Sequence, residues 1–151
     1  MKNAFMIAAT GSGCGKTTIT CALLENLKAR GLKVRSFKCG PDYIDPMFHK
    51  EIIGIPSKNL DLFFSGENEV EEIFEMDNDS DVSIVEGVMG LYDGINVKSN
   101  EGSSYHLAES LDIPIILVVN AHGMGRSIIS VIKGFLADDS KGIIKGVILN
   151  E

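Results

Sequence analysis

Short apolar runs alternate along this chain with longer segments in which apolar positions recur at helical spacing. The apolar runs predict β-strands at residues 4–9, 82–85, 114–119 and 146–149, and alternation predicts another at residues 33–39. The amphipathic segments predict helices at residues 17–30, 103–111 and 126–136. Continuous apolar strands separated by helices are typical of a parallel sheet covered on both faces. The pattern therefore predicts an α/β fold with a mostly parallel sheet and helices on both faces, in which only the alternating run 33–39 has one wetter face.

The polar residues and glycines of greatest chemical interest follow the predicted strands. They lie at residues 10–17, 40–45, 86–93 and 120–126 and at Asn150. Right-handed crossover connections bring the carboxyl ends of parallel strands to one edge of the sheet, and ligands of open α/β sheets bind at that edge. We therefore expect these residues to form a single site.

The first strand leads into a glycine-rich loop and then into a predicted helix. This first motif reads Thr10-Gly11-Ser12-Gly13-Cys14-Gly15-Lys16-Thr17-Thr18. Its glycines let backbone N–H groups converge on phosphate oxygens, and the helix N-terminus adds partial positive charge. Lys16 can reach the β- and γ-phosphates, and the Thr17 hydroxyl can ligate Mg²⁺. Although Thr10 stands where the usual pattern begins with glycine, the first motif predicts a phosphate-loop NTPase that binds a nucleoside triphosphate through residues 11–18.

Two further motifs follow later strands. The second motif, at residues 40–46, reads Gly-Pro-Asp-Tyr-Ile-Asp-Pro, and the third motif, at residues 86–94, reads Glu-Gly-Val-Met-Gly-Leu-Tyr-Asp-Gly. Glycine and proline in the second motif predict a rigid turn that presents Asp42 and Asp45 at the sheet edge, the alternative being that each carboxylate bonds to its own backbone. An acid that ends a buried strand in phosphate-loop proteins helps to hold Mg²⁺, often through water, so Glu86 is a candidate metal ligand.

Composition narrows the class of partner. A net charge of −7 argues against a general grip on nucleic-acid phosphates. Eight carboxylates and no Lys or Arg lie within residues 67–81, where apolar residues at helical spacing predict the solvated face of a short helix. No apolar run approaches the roughly 20 residues of a membrane span, and no leader precedes the first strand. We therefore expect a cytoplasmic protein with neither nucleic-acid nor membrane partners.

In order and in content, the three motifs resemble the amino-terminal domain of the cobyrinate a,c-diamide synthase family. The resemblance runs from Phe5 to Asn150, and the second and third motifs together are specific. It implies a fold similar to that of dethiobiotin synthetase. It also implies ATP- and Mg²⁺-dependent amidation of the a and c side-chain carboxylates of a cobalt-containing tetrapyrrole precursor of vitamin B12. The ammonia would come from glutamine, hydrolysed in a carboxyl-terminal domain.

The same resemblance implies roles for residues near the phosphates and the metal. Thr17, Asp42 and Glu86 would surround Mg²⁺. The catalytic residues would be Lys16, Asp42, Glu86 and Asp93. In the reaction, a substrate carboxylate would form an acyl phosphate, which ammonia would then attack. No nucleophilic side chain is needed for this chemistry.

Other residues are implied in binding the substrate and the base of the nucleotide. Tyr43, Ile44 and Asp93 match family positions associated with the tetrapyrrole carboxylates or the acyl-phosphate step. Asn150 matches a position that reads adenine in related folds. Because the chain is acidic, cations at the sheet edge should offset the negative charge of the substrate. The candidates are Lys38, Lys98 and Arg126, and the alternative for each is a solvated position on the surface.

No cysteine lies beyond Cys39, and no glutaminase domain is recognisable. We therefore expect residues 1–151 to be the ATP-binding synthetase domain of a longer chain, with a glutaminase domain or another ammonia source as partner. A homodimer is compatible with the resemblance.

Three alternatives stay open. One is the same reaction on hydrogenobyrinate or nickel-sirohydrochlorin, and another is a carboxylase like dethiobiotin synthetase. The third is a partitioning-type ATPase switch, although Gly11 stands where such switches commonly carry a lysine.

Overall fold

The computed structural model describes residues 3–76 and 79–151 and has one six-stranded sheet within them. The strands are β1 (Ala4–Ala9), β2 (Val34–Cys39), β3 (Ser57–Leu60), β4 (Val82–Glu86), β5 (Ile115–Asn120) and β6 (Ile144–Asn150). Their order across the sheet is β3-β2-β4-β1-β5-β6, and each neighbouring pair is parallel. The predicted α/β class with a parallel sheet is confirmed.

Helices cover both faces of the sheet. They are α1 (Lys16–Ala29), α2 (Ile44–Phe48), a π-helical turn (His49–Ile53), α3 (Gly66–Glu75), α4 (Ser104–Ser110) and α5 (Ile128–Asp138). Successive side chains of a strand point to opposite faces. Met6 of β1 accordingly belongs to the core cluster that includes residues of α3 and α4, whereas Ile7 belongs to the cluster that includes Leu24 of α1. In the described part of the chain, no helix has the length and apolar character needed to cross a membrane.

The structure corrects the prediction for β2. Of its polar residues, Ser36 and Lys38 are buried and Arg35 is half-buried, so β2 has no solvated face. Both buried side chains have polar partners. Oγ of Ser36 lies 2.8 Å from Nδ1 of His49, and the ammonium group of Lys38 contacts the carboxylates of Asp45 and Glu86. Buried polar groups that find partners avoid the cost of desolvation, so a central strand can carry them.

The acidic segment forms the predicted short helix. Val70 and Phe74 of α3 are buried in the core, and most of its carboxylates are exposed. Asp77, which belongs to the same acidic run, lies outside the described residues. Two further elements, β3 and α2, were not predicted, and both contribute to the site.

Candidate nucleotide and metal site

The first motif joins β1 to α1 in the geometry of a phosphate loop. Gly13 and Gly15 have φ angles of 73° and 90°, in the left-handed region that favours glycine, and α1 begins directly after Gly15. A side chain at residue 15 would collide with the amide of Asn150, whose Nδ2 donates to the carbonyl of Cys14 at 3.1 Å. The end of β6 therefore supports the loop at the start of α1, where backbone N–H groups favour an anion.

The remaining loop residues divide between solvent and the core. Ser12, Gly13, Thr17 and Thr18 are exposed, which leaves this side of the loop open to a ligand. Cys14 is buried instead, and its Sγ lies 3.7 Å from Oγ1 of Thr10. The hydroxyl at residue 10, where the usual pattern has glycine, thus has a contact inside the loop.

Lys16 links the first motif to the third. Its Nζ donates to the carbonyls of Gly11 at 3.0 Å and Met89 at 2.6 Å. Burial lowers the pKa of Lys16, and the positive charge of Lys38 lowers it further, while Glu86 and other anionic groups oppose the shift. Met89 has a φ angle of 49°, uncommon for a residue with a side chain, in the turn that offers its carbonyl to Lys16.

Thr17 and Glu86 meet at the sheet edge. The Thr17 hydroxyl donates to Oε1 of Glu86 at 2.6 Å, and Nζ of Lys38 donates to the same oxygen at 2.9 Å. Lys38 of β2 is the register partner of Glu86 of β4, so their side chains leave the same face of neighbouring strands. Glu86 is fully buried, so its charge depends on these partners.

Lys38 is the centre of a charged group that we call the Lys38 cluster, formed by Lys38, Asp42, Asp45 and Glu86. Its Nζ lies 2.5 Å from Oδ2 of Asp45, 2.9 Å from Oε1 of Glu86 and 3.8 Å from Oδ2 of Asp42. Only 4 % of Lys38 is exposed. The expectation that Lys38 is solvated or free to attract the substrate is therefore wrong.

Burial and ion pairing act against each other in the Lys38 cluster. Burial lowers the pKa of Lys38, but Glu86 and Asp45 outweigh it, so the pKa is raised. Burial raises the pKa of Asp45, but Lys38 outweighs it, so the pKa is lowered. For Glu86 burial dominates and raises the pKa, although Lys38 and Thr17 oppose the shift. A further positive charge beside Glu86 would favour its ionised form.

The residues present fit a magnesium ion. Oε2 of Glu86 is buried and has no hydrogen-bond partner among residues 3–76 and 79–151, and Nε2 of His49 lies 3.8 Å from it. A buried carboxylate oxygen without a donor can accept a cation. Together with the Thr17 hydroxyl it offers the oxygen donors that Mg²⁺ prefers.

Asp42 bonds to the backbone of its own turn and also faces Lys38 at the sheet edge. Its Oδ1 accepts backbone N–H groups from Ile44 at 2.9 Å and Asp45 at 3.4 Å, as a turn carboxylate does. Its Oδ2 faces Lys38, so it reaches the charged group through that lysine rather than by contact with Thr17 or Glu86. Asp45, which was predicted only to lie at the sheet edge, is the closer of the two carboxylates to Lys38.

The residues expected to bind substrate lie at the exposed rim. Tyr43 and Ile44 project into solvent beside Asp42, and the three line one shallow hollow. Oδ2 of Asp93 accepts the N–H of Gly90 at 2.9 Å, which fixes the turn of the third motif. Asp93 also lines a polar cavity of about 680 Å³ with Lys98.

Arg126 is exposed in the segment before α5. Of the three expected cations, Lys98 and Arg126 thus remain accessible, and Lys98 shares the cavity of Asp93.

Sequence reasoning missed Asn59, and it noted His49 behind the second motif without giving it a role. Nδ2 of Asn59 donates to the carbonyls of Gly40 at 2.7 Å and Asp42 at 2.5 Å, so the end of β3 holds the second motif in place. His49 is fully buried between Ser36 and Glu86, and burial lowers its pKa. The place of His49 shortly after the second motif was its only signal in the sequence, and nothing in the polar sequence of β3 indicated Asn59.

Comparison with protein families gives one domain model over nearly the whole chain. The model described as the CobQ/CobB/MinD/ParA nucleotide-binding domain matches residues 5–151. Several curated relatives are named cobyrinate a,c-diamide synthase. That of Synechococcus sp. is 45% identical over 148 residues, 97% of this chain and 32% of its own length. That of Clostridium acetobutylicum is 48% identical over 145 residues, 96% of this chain and 33% of its own. These relatives confirm the resemblance, and the chain spans about a third of their length.

Solved structures with the same fold are more distant in sequence. The signal recognition particle receptor FtsY of Elizabethkingia anophelis superposes with a TM-score of 0.72 at 17% identity, over 99% of this chain and 50% of that one. The hydrogenase maturation factor HypB of Archaeoglobus fulgidus gives a TM-score of 0.61 at 14% identity, over 98% of this chain and 65% of its own. The likeness confirms the predicted fold class.

Proposed function

The chain belongs to the CobQ/CobB/MinD/ParA nucleotide-binding domain family, and we propose that it is the ATP-binding synthetase domain of a cobyrinate a,c-diamide synthase. The observation that carries the proposal is the contact between Thr17, at the start of the phosphate-loop helix, and Glu86, at the end of β4. It brings a candidate pair of Mg²⁺ ligands next to the loop that would hold the triphosphate. The names of the relatives supply the substrate class, a carboxylated corrinoid.

A carboxylate resists attack by ammonia because its leaving group would be oxide. In the proposed reaction, a carboxylate oxygen of cobyrinate attacks the γ-phosphorus of ATP, the bond to the β–γ bridging oxygen breaks, and ADP leaves. Ammonia then attacks the carbonyl carbon of the acyl phosphate, inorganic phosphate leaves, and the nitrogen loses a proton. Asp93, exposed beside the polar cavity, is the residue that we assign to orient ammonia or to accept this proton.

Catalysis of the first step depends on positioning and on charge neutralisation. Lys16 would exchange its bonds to the carbonyls of Gly11 and Met89 for bonds to phosphate oxygens. Thr17 and Glu86 would hold the metal, with Asp42 acting directly or through water. Bound Mg²⁺ supplies the positive charge that offsets the negative charge of the triphosphate. Asn150, beside the loop, would lie close enough to take part in reading the base.

Support for the proposal extends to the second motif. Asn59 and the Lys38 cluster fix the backbone of the turn and the carboxylate of Asp45, so Tyr43 and Ile44 project from a rigid base. A rigid rim is the arrangement expected for substrate-positioning residues. We propose that ammonia is supplied from glutamine by a glutaminase domain outside residues 1–151, and a homodimer remains part of this proposal.

The test is an ammonia-driven amidation assay with ATP and Mg²⁺. Cobyrinate, hydrogenobyrinate and nickel-sirohydrochlorin are tested in parallel as substrates, and the products are identified by mass spectrometry. We expect two successive amidations of cobyrinate that require ATP. Preference for one of the other macrocycles would reassign the substrate. No ATP-dependent amidation, together with dimerisation driven by ATP alone, would instead identify a partitioning-type switch.

The acyl phosphate has a test of its own. With ATP labelled with ¹⁸O in the β–γ bridge, substrate present and ammonia left out, reversible phosphoryl transfer should scramble the label into the non-bridging positions of the β-phosphate. Amidation that proceeds without such scrambling would contradict reversible formation of an acyl phosphate.

A further inference from the structure

Two phenylalanines stand exposed next to each other in the segment that follows β3. Phe63 and Phe64 are 68% and 75% exposed, and their rings pack edge to face with centroids 5.1 Å apart. Single exposed apolar side chains are normal, but an adjacent aromatic pair at the ligand-binding edge of a sheet is typical of a binding surface. Because β3 was not predicted from the sequence, the position of this pair at the sheet edge was not predicted either.

The exposure of the two rings is built into the local structure. Oδ1 of Asp61 accepts the backbone N–H groups of Phe63 at 2.9 Å and Phe64 at 3.4 Å, and the carbonyl of Asp61 accepts the N–H of Ser65 at 3.0 Å. Between them Leu62 packs against the core. The backbone that carries the rings is thus fixed by hydrogen bonds and by one buried anchor, while the rings point away from the core.

Both rings line a cleft of about 270 Å³, which we call the phenylalanine cleft. Val88 and Met89 of the third motif also line it, as does Pro41 of the second motif. Pro41 and Val88 additionally line the hollow of Tyr43 and Ile44, so apolar surface continues from one to the other. Ligand sites are typically apolar concave surfaces with a few polar groups at one side.

The phenylalanine cleft also borders the phosphate site. Met89 offers its carbonyl to Lys16 at 2.6 Å, and its side chain is partly exposed along the cleft. A ligand in the cleft would therefore have its periphery near the position that the γ-phosphate would take beside Lys16.

We propose that the phenylalanine cleft binds an apolar edge of the tetrapyrrole macrocycle, with Phe63 and Phe64 as the residues that contact it. This inference rests on the proposed function and adds the subsite that holds the macrocycle. A polycarboxylate approaching a chain of net charge −7 gains little from long-range attraction. Lys38, which is paired with Asp45 and Glu86, is not available to offset that charge. Contact between the ring and aromatic side chains supplies affinity that needs no charge.

The test is titration of the chain with cobyrinate, followed by calorimetry or by the absorbance of the corrinoid. The variants are Phe63→Ala, Phe64→Ala and the double variant, with Phe64→Tyr to retain a ring. Leu136→Ala, which shortens an exposed apolar side chain on α5, is the control. We expect Kd to rise about fivefold for each single alanine variant and about thirtyfold for the double variant. Phe64→Tyr and the control should bind as the unchanged chain does.

Nucleotide binding, measured in parallel, should stay within about twofold in every variant, which also shows that the variants fold. In the amidation assay, KM for cobyrinate should rise and kcat should hold. Unchanged Kd and KM in the double alanine variant would overturn the inference while amidation by the unchanged chain upholds the proposed function. Cobyrinate binding that depends on the two rings, without ATP-dependent amidation, would uphold the inference and contradict the proposed function.

Two other results count against the inference. The unchanged chain failing to bind cobyrinate would overturn both proposals. A dimer that the double alanine variant converts to monomer in sedimentation, with cobyrinate binding unchanged, would assign the two rings to contact between copies of the chain instead.

Discussion

The hydroxyl of Thr17 lies 2.6 Å from Oε1 of Glu86, although the two residues are 69 positions apart in the chain. The contact joins the first turn of α1 to the last residue of β4, and Lys38 shares the same carboxylate oxygen from β2. Three consecutive strands of the sheet, β2, β4 and β1, therefore direct their carboxyl ends to one small polar centre. This convergence gives the proposed metal site its position.

Removal of the Thr17 hydroxyl tests that site. Thr17→Val keeps the shape of the side chain but removes an oxygen ligand, so we expect a higher Mg²⁺ concentration for half-maximal amidation and a loss of about tenfold or more in kcat/KM. Thr17→Ser keeps the hydroxyl and should retain most activity. Equal Mg²⁺ requirements in the valine and serine variants would contradict a role for this hydroxyl as a ligand.

Lys16 should matter mainly in the transition state of phosphoryl transfer. Its ammonium group is buried at the phosphate loop, where it would meet charge that develops on the phosphates. By analogy with loss of a preorganised donor, Lys16→Ala should cost roughly 3–4 kcal/mol in kcat/KM for ATP-dependent amidation. Lys133→Ala removes an exposed lysine of α5 and should have no effect. Near-normal amidation by Lys16→Ala would refute the proposed mechanism.

Lys38 should stabilise the fold as well as the site. Lys38→Met leaves the buried carboxylate of Glu86 and that of Asp45 without their cation, which we expect to lower the free energy of unfolding by about 3–5 kcal/mol. Because a dication bound near Glu86 would replace part of the missing charge, Mg²⁺ should restore more stability to this variant than to the unchanged chain. Urea unfolding with Mg²⁺ and with a chelator measures both effects.

Lys33 provides the control for that experiment. It pairs with Asp79 at 3.2 Å, but both side chains are largely exposed. Lys33→Met should therefore change the free energy of unfolding by less than about 1 kcal/mol, and Mg²⁺ should not alter the change. A loss in Lys38→Met that is as small as in Lys33→Met, or that Mg²⁺ leaves unchanged, would contradict the assignment of the Lys38 cluster to the metal site.

Most of the fold could be predicted because apolar runs mark strands that are buried on both faces. Residues 4–9 were predicted as they stand in β1, and residues 114–119 differ from β5 by one residue at each end. The strand β3 escaped because only Leu60 of its four residues is apolar, and it lies at the edge with a single neighbour. α2 escaped because glycine and proline predict a turn, whereas Pro46 lies in the first helical turn, where its missing N–H costs nothing.

The site was predicted in part for a similar reason. Glycines, Lys16 and Thr17 form a local pattern whose chemistry can be read within one loop. The pairing of Lys38 with Glu86 depends on the register of β2 against β4, which the sequence does not encode locally. The bonds of Asn59 to the second motif likewise join residues from different strand ends.

Asn59 should hold the second motif for catalysis. Asn59→Leu keeps the size of the side chain but removes both hydrogen bonds to the carbonyls of Gly40 and Asp42, so these acceptors lose their partner. We expect the free energy of unfolding to fall by about 1–3 kcal/mol and kcat for amidation to fall about tenfold, with the affinity for ATP unchanged. Asn26→Leu, on the exposed face of α1, is the control. Weaker ATP binding with normal kcat would contradict the assignment.

Asp139 should make stability depend on pH at a place remote from the metal site. It follows α5 and accepts the N–H groups of Ile143 and Ile144 and the hydroxyl of Tyr105, each at 2.9 Å. Burial raises its pKa, but these donors outweigh burial and hold the pKa below its ordinary value of 3.8. A group whose pKa is lower in the folded state contributes stability above its unfolded pKa and loses it as the pH falls through the folded pKa.

At neutral pH, Asp139→Asn should therefore be less stable than the unchanged chain by about 1–2 kcal/mol, a range that allows for partial exposure of the carboxylate. The difference should shrink as the pH falls below 3.8, because protonation then removes the charge from the native residue as well. Urea unfolding of both proteins across this pH range measures the difference, and a gap that is the same at every pH would show that the charge of Asp139 contributes nothing.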